Sequence, residues 1–102
     1  MLQIVLGEEV AARVAVSATK SMHGHCMGAT GALEAAITGL AIRESILPPT
    51  INLHTVDPAC AGVDHVANVA RPADIRVALS ASYGLGGHNS VLALTRYANG
   101  AS

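Results

Sequence analysis

Between Thr19 and Gly28 the chain reads Thr19-Lys20-Ser21-Met22-His23-Gly24-His25-Cys26-Met27-Gly28, which gathers one amine, two imidazoles and one thiol in a short segment. An imidazole can give or take a proton near neutrality, or donate a hydrogen bond from Nε2–H while uncharged. Lys20 precedes His25 by five residues. An ammonium nearby disfavours the imidazolium form, so Lys20 is expected to help keep His25 uncharged. Such a histidine suits stabilisation of a developing oxyanion or enolate. Two other uses of the segment stay open. One is a loop with a structural histidine and a surface lysine. The other is a zinc site drawing on His23, His25 and Cys26, with His54, Cys60, His65 and His88 elsewhere, although these spacings match no standard zinc pattern.

Two further positions carry chemical potential. Gly84-Leu85-Gly86-Gly87 can form a nest of backbone N–H groups for an anion, a hairpin turn with positive φ angles, or a loop aiming one N–H into a pocket as half of an oxyanion hole. It lacks the Gly-x-Gly-x-x-Gly spacing and opens no helix, which argues against a nucleotide site. Glu34 lies among Ala, Gly, Leu, Ile and Thr, sharing a stripe with Thr38 and Ser45. It either marks a narrow solvent-facing edge or is buried, and a buried carboxylate needs a cation or several donors.

The elements that must hold these groups follow from the pattern. Residues 1–12 read as a short helical or loop segment with Leu2, Val5 and Leu6 on one face. Arg13 to Ala18 is a short β-type run, and Thr19 to Met27 a polar loop. Gly28 to Ser45 is helix-compatible, with Leu33, Ile37, Leu40 and Ala41 at helical spacing. Its small apolar residues run nearly all round, which predicts a buried, tightly packed helix. Pro48-Pro49 stops that helix and forces an extended path through Thr50-Ile51-Asn52-Leu53. His54 to Pro72 looks irregular and is expected to run over the surface. Ile75 to Ser80 alternates like a strand, and Ser90 to Arg96 is a nearly continuous apolar run, the mark of a strand covered on both faces. The order strand, loop, buried helix, loop, β-hairpin gives a mixed α/β layered fold within one domain, 1–102.

Composition narrows the function classes. With 6 Lys+Arg against 7 Asp+Glu, the net charge of -1 offers no basic field for nucleic acid or anionic lipid. The 51% hydrophobic content and 13% charged content exclude disorder, and no apolar run is long enough to span a membrane as a helix. Aromatics are only 2%, so the apolar residues are small and contribute little buried area each. A chain of 102 residues built this way is expected to be part of a larger packed body or to need a partner. Its two cysteines form no disulfide framework and its start has no secretion-signal character, so a cytoplasmic location is expected.

Val14 through Glu34, centred on Thr19-Lys20-Ser21-Met22-His23-Gly24-His25, resembles the second-histidine segment of the β-ketoacyl-acyl-carrier-protein synthases. Pro48-Pro49-Thr50-Ile51-Asn52-Leu53 is similar to that family's proline-rich crossing, and Ser80-Ala81-Ser82-Tyr83-Gly84-Leu85-Gly86-Gly87-His88-Asn89 resembles its glycine-rich gating loop. The resemblance implies the C-terminal portion of a thiolase-like α/β fold, with a mixed sheet packed on a buried Ala/Gly-rich helix, in a homodimer. It implies decarboxylative Claisen condensation of acyl and malonyl thioesters, with acyl carrier protein as partner and no cofactor or metal. By resemblance, His25 is the catalytic histidine that hydrogen-bonds the malonyl thioester carbonyl, and Lys20 supports it. Leu85 is the acyl gate whose N–H completes the oxyanion hole, Glu34 belongs to the polar network, and Ser80 holds a position linked to a cation in some members.

The departures carry information of their own. Leu85 and Tyr83 stand where the family has a phenylalanine pair, and Ala81 where it has an asparagine. A smaller gate changes which acyl chains enter, and the loss of the asparagine argues against cation binding. The family's nucleophilic cysteine and its His-Gly-Thr segment have no counterpart in these residues, and neither Cys26 nor Cys60 stands in the nucleophile's context. The sequence thus reads as the final quarter of a synthase, inactive without the N-terminal half. The competing expectation is a non-catalytic remnant or interaction module that packs on a synthase-like partner. A small autonomous metal-binding domain is a third.

Overall fold

The computed structural model describes residues 1–97; the tail of the expected domain span, 98–102, lies outside the described residues. The described residues form two compact units, Met1–Gly24 with Leu47–Arg71, and His25–Ile46 with the chain from Pro72 onward.

The first unit is organised around a short parallel ladder. Strand Ala15–Val16 pairs with Asp64–His65, through Asp64 N–H to Val14 O at 3.0 Å and Val66 N–H to Val16 O at 3.1 Å. On the opposite edge Thr50 N–H donates to Val66 O, and Asn68 N–H to Thr50 O, each at 2.8 Å. The segment 64–68 is therefore the middle of this ladder. Val66, only 1% exposed, is the largest fully buried side chain among the described residues.

This corrects the expectation that His54 to Pro72 runs wholly over the surface. Asp64 and His65 disguised the strand, but each is satisfied locally. The Asp64 carboxylate pairs with the Arg71 guanidinium, and His65 Nε2–H donates to Cys60 O at 2.6 Å. Only Val66 then has to enter the core. The extended path expected through Thr50-Ile51-Asn52-Leu53 ends at Thr50, because Ile51 and Asn52 form a turn with Asn52 left-handed at φ 61°, and a side chain acting as backbone holds the chain beyond it. Asn68 Oδ1 accepts from Leu53 N–H at 3.0 Å while Asn68 Nδ2 donates to Leu53 O at 2.6 Å.

The polar loop of Thr19 to Met27 contains more structure than its sequence suggested. Residues Lys20–His23 form one helical turn. Ser21 Oγ donates to Ala18 O and accepts from Ile51 N–H, both at 2.9 Å. Ala18 N–H donates to Thr50 Oγ1 at 2.8 Å. These bonds tie the turn carrying Lys20 to the crossing segment inside the same unit.

The second unit packs the helix Thr30–Glu44 on the antiparallel hairpin Val77–Gly84 and His88–Thr95. The register Ala78↔Leu94, Ser80↔Leu92 and Ser82↔Ser90 sets one face of the hairpin. Ala78, Ser80, Ser82 and Leu94 are half-buried, while Val77, Leu79, Tyr83, Val91 and Leu92 are exposed. The all-round burial expected of the helix is not supplied by the described residues, since only Thr30 and Ile42 are buried in it. The two-sided cover expected for Ser90 to Arg96 is likewise missing among the described residues. Both expectations came from composition, which registers an apolar face whether or not its cover lies in the same stretch of chain.

Arg96 fastens the end of the helix. Its Nη2 lies 3.1 Å from Ile42 O, 3.2 Å from Ser45 Oγ and 3.3 Å from Asp74 Oδ1. Ser45 closes the helix in the left-handed conformation, φ 56°, with its N–H on Ala41 O. A guanidinium here satisfies an otherwise unpaired helical carbonyl and opposes the negative end of the helix dipole. Replacing Arg96 with Met should lower unfolding stability by about 1–2 kcal/mol in a denaturant titration, and an unchanged midpoint would show that the clamp contributes nothing.

Candidate active site

His25 opens the second unit, just ahead of the turn Met27–Ala29 that leads into the helix. Its Nδ1 has two neighbours: Met27 N–H donates to it at 3.1 Å, and Thr30 Oγ1 lies 2.8 Å away. A backbone N–H can only donate, so Nδ1 must carry a lone pair and the proton of the uncharged ring sits on Nε2. The opposite tautomer would set two N–H groups against each other and strand the Met27 amide. That would cost about 1–3 kcal/mol, enough to disfavour it at least several-fold. Nε2–H is thus the atom through which His25 can donate to a ligand oxygen.

The arrangement depends on an uncommon backbone. Met27 has φ 49°, left-handed for a non-glycine residue, a conformation that costs of order 1 kcal/mol or more. Its side chain is 76% exposed, so burial does not compensate. The bonds that offset the strain are Met27 N–H to His25 Nδ1 and Ala29 N–H to Cys26 O at 3.1 Å.

His23 is held in the other tautomer. Its Nδ1–H donates to Gly24 O at 2.7 Å, so Nε2 accepts from the Thr19 hydroxyl at 3.1 Å. Both ring nitrogens are used within the first unit, which makes His23 a structural histidine. This removes the inner member of the His23-x-His25 pair from the zinc reading. No three His, Cys, Asp or Glu side chains converge on a possible metal position among the described residues. Cys26 and Cys60 are exposed free thiols.

The other expected site residues are distributed as follows. Lys20 starts the helical turn of the first unit and is half-buried. Glu34 is half-buried on the helix of the second unit, where Thr38 Oγ1 donates to its backbone carbonyl at 2.7 Å. Ser80 is half-buried on the same hairpin face as Ala78 and Ser82. Leu85 is at the hairpin tip with its side chain 99% exposed. The glycine-rich segment is a hairpin turn. The pair Gly84↔His88 closes a three-residue loop, and Gly86 and Gly87 have φ 87° and 85°. His25, Glu34, Ser80 and Leu85 therefore belong to one unit and Lys20 to the other.

Met27 and Thr30 were not among the expected site residues. Thr30 carried a faint signal as a hydroxyl five residues after His25, but a left-handed methionine has none.

With this geometry in place, relatives identify the family. Residues 1–54 match the family described as beta-ketoacyl synthase, C-terminal domain, and the chain belongs to it. Over 84 residues, 82% of the chain, it is 50% identical to a 3-oxoacyl-acyl-carrier-protein synthase 2 of Synechocystis sp. and 51% identical to that of Coxiella burnetii. The chain spans about a fifth of the length of these curated relatives, 20% of each. Among solved structures, the ishigamide ketosynthase/chain length factor aligns with TM-score 0.88 at 42% identity, covering 95% of this chain and 23% of that one. A beta-ketoacyl synthase from Burkholderia phymatum aligns with TM-score 0.84 at 38% identity, covering 94% and 22%. A ketosynthase solved in complex with its type II polyketide acyl-carrier protein aligns with TM-score 0.88 at 33% identity, covering 95% and 23%. The fold is the expected C-terminal portion of a ketosynthase, with helix and sheet mixed.

The turn that presents Leu85 depends on glycine at position 87. A Cβ there meets nothing within 4 Å, so the penalty for a side chain comes from its φ of +85° alone. Gly87→Ala should destabilise the protein by about 1 kcal/mol. Gly28→Ala, also in open space but without a positive φ, should stay within about 0.5 kcal/mol of the parent. Equal melting temperatures for the two variants would contradict this account of the turn.

Proposed function

We propose that this chain is the C-terminal part of a β-ketoacyl-acyl-carrier-protein synthase, and that His25 acts in its decarboxylative Claisen condensation. The observation that carries the chemistry is the Met27 N–H on His25 Nδ1, which leaves Nε2–H as the ring's donor. When the malonyl thioester loses its carboxylate, the C–C bond breaks, carbon dioxide leaves, and the electron pair moves into the thioester carbonyl. His25 Nε2–H donates to that oxygen as negative charge develops on it. The resulting enolate carbon attacks an acyl thioester held on a nucleophilic cysteine, so that a C–C bond forms, the acyl C–S bond breaks and the cysteine leaves as its thiolate. That cysteine and the family's other active-site histidine come from the part of the synthase outside these 102 residues.

Lys20 supports His25 electrostatically, and Glu34 and Ser80 belong to the surrounding polar network. Leu85 gates acyl entry and offers its N–H to the acyl carbonyl; a leucine there is a smaller gate than phenylalanine. No cofactor is needed, because the carbanion is stabilised as an enolate within the substrate. Malonyl and acyl groups arrive on acyl carrier protein, which a structural relative binds in its solved complex. The synthase works as a cytoplasmic homodimer. Among the described residues no helix is long and apolar enough to cross a membrane. The rest of the synthase covers the exposed outer face of the hairpin, including Val77, Leu79 and Val91.

The test is carbon dioxide release from malonyl-acyl carrier protein by the complete enzyme. His25→Ala should lower it roughly 10²–10³-fold, the usual effect of removing one donor to a developing oxyanion. Lys20→Ala should reduce it less. An unaffected rate in His25→Ala would rule out the role assigned to that residue.

A further inference from the structure

Among the described residues, the buried polar side chains are Thr19 and Thr30. Each is bonded to one histidine of His23-Gly24-His25, Thr19 to His23 and Thr30 to His25. We propose that Thr30 is a positioning residue for His25: its hydroxyl, with the Met27 N–H, fixes the ring's tautomer and plane so that Nε2–H is presented for donation. The inference builds on the reading of His25 as a donor to a thioester carbonyl.

Three observations support it. His25 is exposed within this chain, so packing does not orient the ring and its bonds must. The Met27 N–H contact, at 3.1 Å, is at the long end for a hydrogen bond, and one such contact leaves the ring free to swing about it. Thr30 supplies the second point at 2.8 Å, from a side chain only 4% exposed at the first position of the helix. A threonine in a helix is confined to about two χ1 rotamers, and burial restricts its oxygen further.

The direction of the bond follows from its neighbour. A hydroxyl can donate to an unprotonated Nδ1 or accept from a protonated one. Met27 N–H cannot reverse, and a proton on Nδ1 would face it directly. Thr30 therefore donates, and its bond holds the ring where the Met27 amide selects Nε2–H. Thr19 marks the contrast. There Nδ1–H donates to the Gly24 carbonyl, and the threonine hydroxyl donates to Nε2. The same residue pair thus holds His23 with Nδ1–H and His25 with Nε2–H.

The test uses the complete synthase carrying these residues, labelled with ¹⁵N-histidine, with the His25 resonances assigned by their loss in His25→Asn. Thr30→Val removes the hydroxyl while keeping the shape, and Thr30→Ala removes it without adding bulk, so a folding defect in one leaves the other to be read. Thr30→Ser restores the donor. The parent and Thr30→Ser should show His25 almost wholly as Nε2–H. The two hydroxyl-free variants should show a several-fold larger Nδ1–H population, with kcat for malonyl decarboxylation down about tenfold and KM unchanged. A parent-like tautomer ratio in the hydroxyl-free variants would overturn the proposal. A shifted ratio with an unchanged decarboxylation rate would uphold the positioning role and instead refute His25 as the donor to substrate.

Discussion

An uncharged imidazole has one proton, and the Met27 backbone amide, with the ring held against it by Thr30, decides where that proton resides on His25. Met27 N–H occupies Nδ1, so the ring has only Nε2 from which to donate. The rest of the local structure serves that constraint. Met27 accepts a left-handed backbone so that its N–H turns toward His25, and the turn Met27–Ala29 leads directly into the helix that carries Thr30. Hydrogen-bond donors that are fixed in advance lower the barrier to forming an enolate, because nothing has to reorganise as charge appears.

A small, aromatic-poor chain can hold such an arrangement because its elements are pinned by polar bonds as much as by burial. Asn68 substitutes for a backbone partner of Leu53, Ser21 and Thr50 tie the Lys20 turn to the crossing segment, and Arg96 anchors the helix C-terminus. Many of the apolar residues that remain exposed lie on the hairpin, and Ile4 and Val5 near the N-terminus are uncovered as well. A synthase about five times the length of this chain has the material to cover such faces. Polar pinning holds these turns in place while the apolar faces stay exposed among the described residues.

Much of this was legible in the sequence. The helix after Gly28, the stop at Pro48-Pro49 and the glycine hairpin turn follow from periodicity, proline sterics and positive-φ demand, and each occurs close to where those rules put it. His25 stood out because its residue type and its place between a strand and a helix both suit proton or hydrogen-bond chemistry. Other features had no readable signal. The middle strand at 64–68 is polar at two of its first positions, and those groups are satisfied by Arg71 and Cys60, which no periodicity rule anticipates. Burial was overestimated for the helix and for the last strand, because an apolar residue indicates that cover is needed and not where it comes from. The role of Met27 lies entirely in its backbone, so its side-chain identity gave no hint of it.

The most direct test of the central claim is neutron diffraction from deuterium-exchanged crystals of the complete synthase in its substrate-free state, near neutral pH. The account predicts deuterium on His25 Nε2, none on Nδ1, and the Met27 N–D directed at Nδ1. Deuterium on Nδ1, or a Met27 amide turned away from the ring, would contradict it.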